Sequence, residues 1–267
     1  MLTWDNTDLE EVRCFRCYVP GELRFEVPPF GVVVCPSCGQ VFVSPRLSEQ
    51  GRAKLYSQPE YFEGRVYGDE TKRFDLADTL QRTWTDGRLD LIERASRRSS
   101  SKRMLEVGCA YGLFLARARE RGWEVAGQEY STTAVERVRE TLGIDVRDGQ
   151  LEDAGFEDNS FDVVCFWDVL EHVPDPGSFL ATVARITRPG GVVALSCPYV
   201  SSLPARMLGT KWWTLKPWEH IWHFTPRTLA RALTEAGLRP LTIRLNPLSR
   251  ANFTRLDSVV ALARAGG

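Results

Sequence analysis

The chain has 267 residues, 43% of them hydrophobic and 26% charged, which supports a packed core and excludes a globally disordered polymer. The formal net charge of -1 supplies no overall attraction to nucleic acid. No apolar run approaches the ~18 residues of a membrane span, and the polar start Met1-Leu-Thr-Trp-Asp-Asn-Thr-Asp8 has no signal-peptide character. The expectation is a cytoplasmic protein with no membrane partner.

Charge is unevenly spread. Residues 1–50 carry seven acidic and four basic side chains, whereas residues 201–267 carry ten basic and three acidic ones. A basic C-terminal region points to an anionic ligand there, or to a solvated basic surface.

The first motif is Cys14-Phe-Arg-Cys17 followed by Cys35-Pro-Ser-Cys38. Two thiolates at C-x2-C spacing converge on one side of a tetrahedral ion, and two such pairs match a zinc ribbon. Four thiolates leave no open position, so the metal is expected to be structural, with iron as the alternative. Four buried reduced cysteines are the plain reading. The other cysteines, Cys109, Cys165 and Cys197, lie singly in apolar runs, unlike a secreted disulfide framework. Residues 1–48 are therefore read as the ribbon. Residues 49–100 are polar, with helical stretches at Glu49–Tyr56 and Asp75–Ser96, and are read as a helical cap ending in the exposed run 96–102.

From residue 103 strands and helices alternate. Strands are expected at Arg103–Val107, Glu124–Gln128, Phe161–Trp167, Gly191–Cys197, Leu241–Leu245 and Ser258–Arg264. Helices are expected at Leu113–Arg121, Thr132–Leu142, Pro176–Arg185 and Pro226–Ala236, the last with Thr225 as its N-cap. This alternation implies an α/β fold whose mostly parallel sheet carries helices on both faces, with ligands at the carboxyl ends of the strands.

After the first of these strands comes Leu105-Glu-Val-Gly-Cys-Ala-Tyr-Gly112. Gly108 permits a tight turn, Cys109 and Ala110 are small, and Gly112 opens the helix, whose free N–H groups favour a carboxylate or phosphate. The spacing is not the G-x-G-x-x-G of pyrophosphate binders, which argues against a nicotinamide dehydrogenase. Glu129 ends the next strand, where an acidic side chain can accept both hydroxyls of a ribose.

Here the chain resembles class I S-adenosylmethionine (SAM)-dependent methyltransferases. Leu105–Leu115 resembles their first motif and Gly127-Gln-Glu-Tyr-Ser131 their acidic one. Gly149-Gln-Leu-Glu-Asp153 and Phe156-Glu-Asp-Asn-Ser-Phe-Asp-Val-Val164 are similar to their third and fourth strands. Trp167-Asp-Val-Leu-Glu-His-Val-Pro-Asp-Pro176 and Arg188-Pro-Gly-Gly191 are similar to their later signatures. The resemblance implies a Rossmann-like seven-stranded sheet over residues 101–267. It implies that Glu106 and the loop of Gly108, Cys109, Ala110 and Gly112 hold the methionine part of SAM. Glu129 would then bind the ribose, Tyr130 flank the adenine, and Gln150 with the Leu151 backbone meet its edge, with Asp168 completing the site. Many relatives carry Gly at the position of Ala110 and Asp at that of Gln150. The cysteine region, with Phe42-Val-Ser-Pro45 and Pro59-Glu-Tyr-Phe-Glu-Gly64, resembles a ubiquinone-biosynthesis-like subgroup that also acts on sugars, cell-surface glycans and secondary metabolites. In that reading Tyr61, Phe62 and Tyr67 cover the SAM site or join the core.

Methylating an alcohol requires loss of its proton, a task suited to histidine. His172 follows the fourth strand, with Asp168 and Glu171 able to orient it or, as in some O-methyltransferases, to hold Mg²⁺ with it. His220 and His223 lie in Lys211-Trp-Trp-Thr-Leu-Lys-Pro-Trp-Glu-His-Ile-Trp-His-Phe224. This segment falls within 199–224, where the fold commonly inserts an acceptor lid. The candidate catalytic residues are His172, His220, His223 and Asp168. Trp faces there could stack on a ring, and Lys211 and Lys216 could meet an anion. The expected activity is O-methylation of a small acceptor, anionic or glycosylated. An RNA methyltransferase gripping its substrate by the ribbon is the alternative, which the acidic ribbon disfavours. A SAM-binding protein without transferase activity is the third reading.

Overall fold

In the computed structural model, residues 4–56, 77–96, 102–245 and 257–266 are described. Tyr61, Phe62, Tyr67 and most of the run 96–102 lie outside them. The central sheet uses β6 (Arg103–Val107), β7 (Glu124–Glu129), β8 (Asp145–Asp148), β9 (Phe161–Trp167), β10 (Thr187–Pro198), β12 (Leu238–Leu245) and β13 (Ser258–Ala265), in the order β12-β13-β10-β9-β6-β7-β8. Strands β8, β7, β6, β9 and β10 pair in parallel, while β13 runs antiparallel to both β10 and β12. The chain starts in the middle at β6, builds out through β7 and β8, then returns to β9. This reversal leaves a crevice at the carboxyl ends of β6 and β9.

Local chemistry sets the helices between the strands. Helix α4 (Thr132–Leu142) starts at Ser131, whose side chain accepts from the Ala134 N–H, and stops at Gly143 with φ 59°. Helix α5 (Pro176–Ile186) has Asp175 as its cap and proline at its start. Helix α7 (Pro226–Glu235) opens on a reciprocal cap between Thr225 and Thr228. Helix α3 (Leu113–Glu120) begins at Gly112, φ 72°, with no side-chain cap. Strand β9, Phe-Asp-Val-Val-Cys-Phe-Trp, is buried on both faces up to Phe166, as a central parallel strand should be.

Two expectations need adjustment. The third strand is Asp145–Asp148, not Gly149–Asp153, which forms a turn and the 3-10 helix Leu151–Asp153. A short polar strand with one buried residue gives little periodic signal. Helix α2 (Ala77–Ala95), expected in a cap, lies against the sheet. Its Leu89 and Ile92 pack with Met104, Phe114, Val163 and Ala194, and Asp86 and Asp90 pair with Arg117 of α3 and with Arg121, which caps its C-terminus.

The N-terminal region forms β1 (Leu9–Glu10), β2 (Glu22–Val27), β3 (Phe30–Val34), β4 (Val41–Val43), β5 (Arg46–Leu47) and α1 (Glu49–Tyr56). Its larger sheet has the order β11-β4-β3-β2, where β11 is Trp222–His223 of the expected lid. The lid's other elements are α6 (Leu203–Leu208) and a 3-10 turn at Gly209–Lys211. Cys14, Val33, Cys35 and Phe42 share one buried cluster with Phe179, Leu180, Trp222 and Leu233. The N-terminal region thus packs on α5, α7 and the lid. No helix among the described residues is long and apolar enough to cross a membrane.

Candidate active site

The loop after β6 is held from beneath by the Gln128 carbonyl, which accepts from the Gly108 and Cys109 N–H groups at 2.8 and 3.1 Å. Gly108 has φ 68°, and a Cβ there would lie 2.7 Å from Val169 Cγ2, so only glycine fits. Ala110 adopts φ 46° and Asp168 φ 55°. Non-glycine residues in the left-handed region are held there by their surroundings, most often at functional sites. Cys109 faces away from the crevice: its side chain packs with Leu115, Val135, Val138 and Val146, leaving only its backbone for a ligand.

Glu129 ties the loop to β7. One oxygen accepts from the Ala110 N–H at 2.8 Å, the other from the N–H groups of Tyr130 and Ser131 at 2.8 and 3.0 Å. The Tyr130 side chain is exposed, as is Gln150, and Leu151 is buried. Gln128 donates to the Gly149 carbonyl, fixing the turn that carries Gln150.

Glu106 lies at the centre of the crevice floor. It is 5% exposed, and its Oε2 is buried without a hydrogen-bond partner. Burial pushes its carboxyl well above the usual range, with Glu129 adding and Arg88 opposing. Arg88 is a site residue that sequence reasoning missed. It is fully buried on α2, its guanidinium 3.0 Å from the Trp84 ring centroid and 4.0 Å from that of Trp167. It donates to Ser196 Oγ at 3.1 Å and lies 3.9 Å from Asp168 Oδ2. A buried cation beside a buried carboxyl complements an amino acid zwitterion, which is the chemistry of SAM's methionine end. The available signal was Trp84 and Arg88 at i, i+4 spacing on a helix, which also fits an ordinary surface stack.

Of the three histidines, the structure brings two together. His172 and His220 meet edge to face with ring centroids 4.6 Å apart. A nitrogen of each lies within 4.8 Å of the other and of a carboxylate oxygen of Glu171. His220 Nδ1 is 2.7 Å from the Thr214 carbonyl. A carbonyl only accepts, so Nδ1 carries the proton and Nε2 keeps its lone pair. Glu171 is 1% exposed with neither oxygen hydrogen-bonded; burial, then Asp168, raises its carboxyl well above the usual range. Its own carbonyl accepts from the Ile221 and Trp222 N–H groups, docking the lid on the end of β9. Burial lowers His172, and lowers His220 well below the imidazole range.

His223 is set apart from this cluster. It is 1% exposed in β11, both ring nitrogens lack a partner, and burial holds it at about 4. Asp168 also stays outside, engaged by Ser196 Oγ at 3.0 Å. Trp212 and Trp222 are buried, their indole N–H groups held by Asp257 and the Val173 carbonyl. Trp213 and Trp218 are exposed.

Cys14, Cys17, Cys35 and Cys38 converge, with all four Sγ atoms within 4.8 Å of one another. Tyr18 (φ 56°) and Gly39 (φ 75°) turn the chain at each pair, and their N–H groups return to the Cys14 and Cys35 carbonyls, 2.9 Å in each case. Two matched turns presenting four thiols to one point fit a tetrahedral ion.

Residues 76–243 match the family described as "Methyltransferase domain". The chain is 30% identical over 206 residues to the ubiquinone biosynthesis O-methyltransferase of Thiobacillus denitrificans, covering 72% of this chain and 85% of that protein. Its Hahella chejuensis counterpart is 38% identical over 110 residues, 39% of this chain and 45% of that protein, so the chain spans about half of that relative. Among solved structures, the 1,6-didemethyltoxoflavin-N1-methyltransferase of Burkholderia thailandensis shares the fold with a TM-score of 0.60 at 18% identity, covering 92% of this chain and all of that one. The glycine loop, the strand order and these matches agree, and the chain belongs to the methyltransferase-domain family as a SAM-dependent methyltransferase.

Proposed function

We propose that the enzyme O-methylates a small acceptor such as a sugar, a nucleotide-linked sugar or a secondary metabolite, with His172 as the base. The Glu171–His172–His220 cluster, with two residues from the turn after β9 and one from the lid, carries this reading. The O-methyltransferase name borne by the Thiobacillus relative supports it. Bound SAM supplies an electrophilic methyl group on a sulfonium. Glu106 and Arg88 would take its ammonium and carboxylate, Glu129 its ribose, and Tyr130, Gln150 and Leu151 its adenine. The acceptor oxygen would give its proton to His172 as it takes the methyl group, the S–CH3 electron pair staying with S-adenosylhomocysteine as the leaving group, and the imidazolium would later return that proton to water. His220 is held too far below neutrality to be the better base, so its role is to position His172. The four cysteines hold a structural zinc. Their packing on α5, α7 and the lid leaves the ribbon's inner face unavailable to RNA.

The test is an acceptor panel with methyl-labelled SAM, with metal content measured on the same sample. Labelled alcohols with one zinc per chain are expected; label confined to RNA overturns the reading. His172→Ala should lower kcat about 100-fold without loss of S-adenosylhomocysteine binding. Because burial lowers His172, the acid limb of the kcat/KM profile should fall below the ordinary histidine range. Full turnover by His172→Ala refutes the base.

A further inference from the structure

Arg16 stands between the two cysteines of the first pair, and its contacts account for only part of its guanidinium. Nε and Nη2 grip the two oxygens of Glu235 on α7. The side chain is 3% exposed, and Nη1 is buried without a hydrogen-bond partner. An ion pair at the surface leaves its spare N–H groups to water, whereas these are sealed off. A buried cationic donor without an acceptor is costly, so the position calls for a second anion beside Glu235. Among the described residues no other carboxylate pairs with Arg16.

The four sulfurs are the groups at hand. Backbone N–H groups of Arg16 and Cys17 turn to the Cys14 sulfur, and those of Ser37 and Cys38 to the Cys35 sulfur. The first thiol of each pair is thus served by its own turn. The second thiols are the ones the Arg16 side chain senses: after Glu235, and against burial, Cys38 and Cys17 favour its charged form. A dication held by four thiolates is a dianion, and a buried anion needs a cation that pairs with it and donates hydrogen bonds.

We infer that Arg16 is the charge partner of the four-cysteine centre: its Nη1 N–H groups donate to the sulfurs of Cys17 and Cys38 and offset the negative charge left there when a dication is bound. Held on its other side by Glu235, the same guanidinium ties the centre to α7. The inference rests on the reading that these cysteines hold zinc.

Zinc affinity of the full chain, measured by competition with a chromophoric chelator, tests it. Arg16→Gln should bind zinc about 10–100-fold more weakly. Glu235→Gln breaks the ion pair but leaves the guanidinium, and should stay within about threefold of wild type. Arg16→Lys keeps the charge without the planar fork, and should fall between wild type and Arg16→Gln. With cobalt in place of zinc, the sulfur-to-metal charge-transfer band should move to longer wavelength in Arg16→Gln and not in Glu235→Gln, because thiolates stripped of hydrogen bonds hold their electrons less tightly. If Arg16→Gln does not fold, Arg16→Lys and Glu235→Gln decide: weaker zinc binding in the lysine variant is expected, and no difference overturns the inference. Wild-type affinity in a folded Arg16→Gln also overturns it. So does an equal loss in Arg16→Gln and Glu235→Gln, which would make Arg16 a docking residue alone. A wild-type chain that holds no zinc overturns it together with the zinc reading of the cysteines.

Discussion

Ala110 occupies a backbone state that an L-residue adopts at a cost of about 1–2 kcal/mol, with φ 46° in the loop that must approach the ligand. Glycine would remove that cost while adding some unfolded-chain entropy. Ala110→Gly should therefore raise stability by about 0.5–1 kcal/mol, read as a higher urea midpoint at unchanged slope. An equal or lower midpoint would show that the loop is not strained there. His223 makes a second test. Its folded pKa of about 4 lies below the unfolded value of about 6.5. Its contribution is intact above about 6.5 and is lost as pH falls toward 4, because the unfolded chain takes up the proton first. Glu106 and Glu171, raised by burial, act in the opposite sense, so the wild-type curve alone does not isolate His223. The difference between wild type and His223→Leu does: the variant should lose less stability between pH 6.5 and 4, by about 3 kcal/mol at most. Parallel curves would contradict the sealed, neutral ring. Residue chemistry at β6 and β7 was legible because Glu106 and Glu129 sit at fixed offsets from a glycine turn. Arg88 was not, since what buries it is Trp167 arriving from β9, and a helical pattern alone does not bury a cation.

The lid and the ribbon meet through β11, whose Trp222 and His223 pair with Phe42 and Val41. Trp222 also meets Phe15, which lies between the first two cysteines, edge to face at 5.0 Å between centroids. Gln40 donates to the His223 carbonyl at 2.9 Å. A metal at the four cysteines would therefore brace the segment that carries His220. Chelation should raise the acceptor KM and shift Trp fluorescence, while S-adenosylhomocysteine binding at β6 and β7 stays close to normal. Unchanged acceptor kinetics in metal-free protein would separate the ribbon from the lid. The metal should also be lost more readily in acid. Burial pushes the free thiols of Cys14 and Cys17 up to about 12 and 11, so binding must displace protons and weakens as pH falls. Helices and central strands were legible from caps and periodicity: Thr132–Leu142 and Phe161–Trp167 have the bounds the sequence implied. A two-residue strand has no period of its own. Only its pairing with a segment far back in the chain makes β11 a strand.

A chain with a four-cysteine region at its head and a seven-stranded sheet behind it invites division at residue 48, but the two share a core. Cys14, Val33, Cys35 and Phe42 lie in the same buried cluster as Phe179, Leu180, Trp222 and Leu233. Arg16 reaches α7 to form a two-pronged bond with Glu235, its side chain 3% exposed. Arg46 donates to the Pro174 carbonyl at 3.1 Å, just before α5. Exposing Phe42, Trp222 and their neighbours would forfeit about 1.5–3 kcal/mol for each large side chain, against a total stability of about 5–15 kcal/mol for a domain of this kind. A chain starting at residue 49 should therefore be insoluble or lack a cooperative thermal transition, even with S-adenosylhomocysteine present. The full chain should unfold in one transition, because the head and the sheet share one core. Two resolved calorimetric transitions, or a truncated chain that still melts cooperatively and is stabilised by S-adenosylhomocysteine, would show that the ribbon is an appendage and that the shared core contributes little to the sheet.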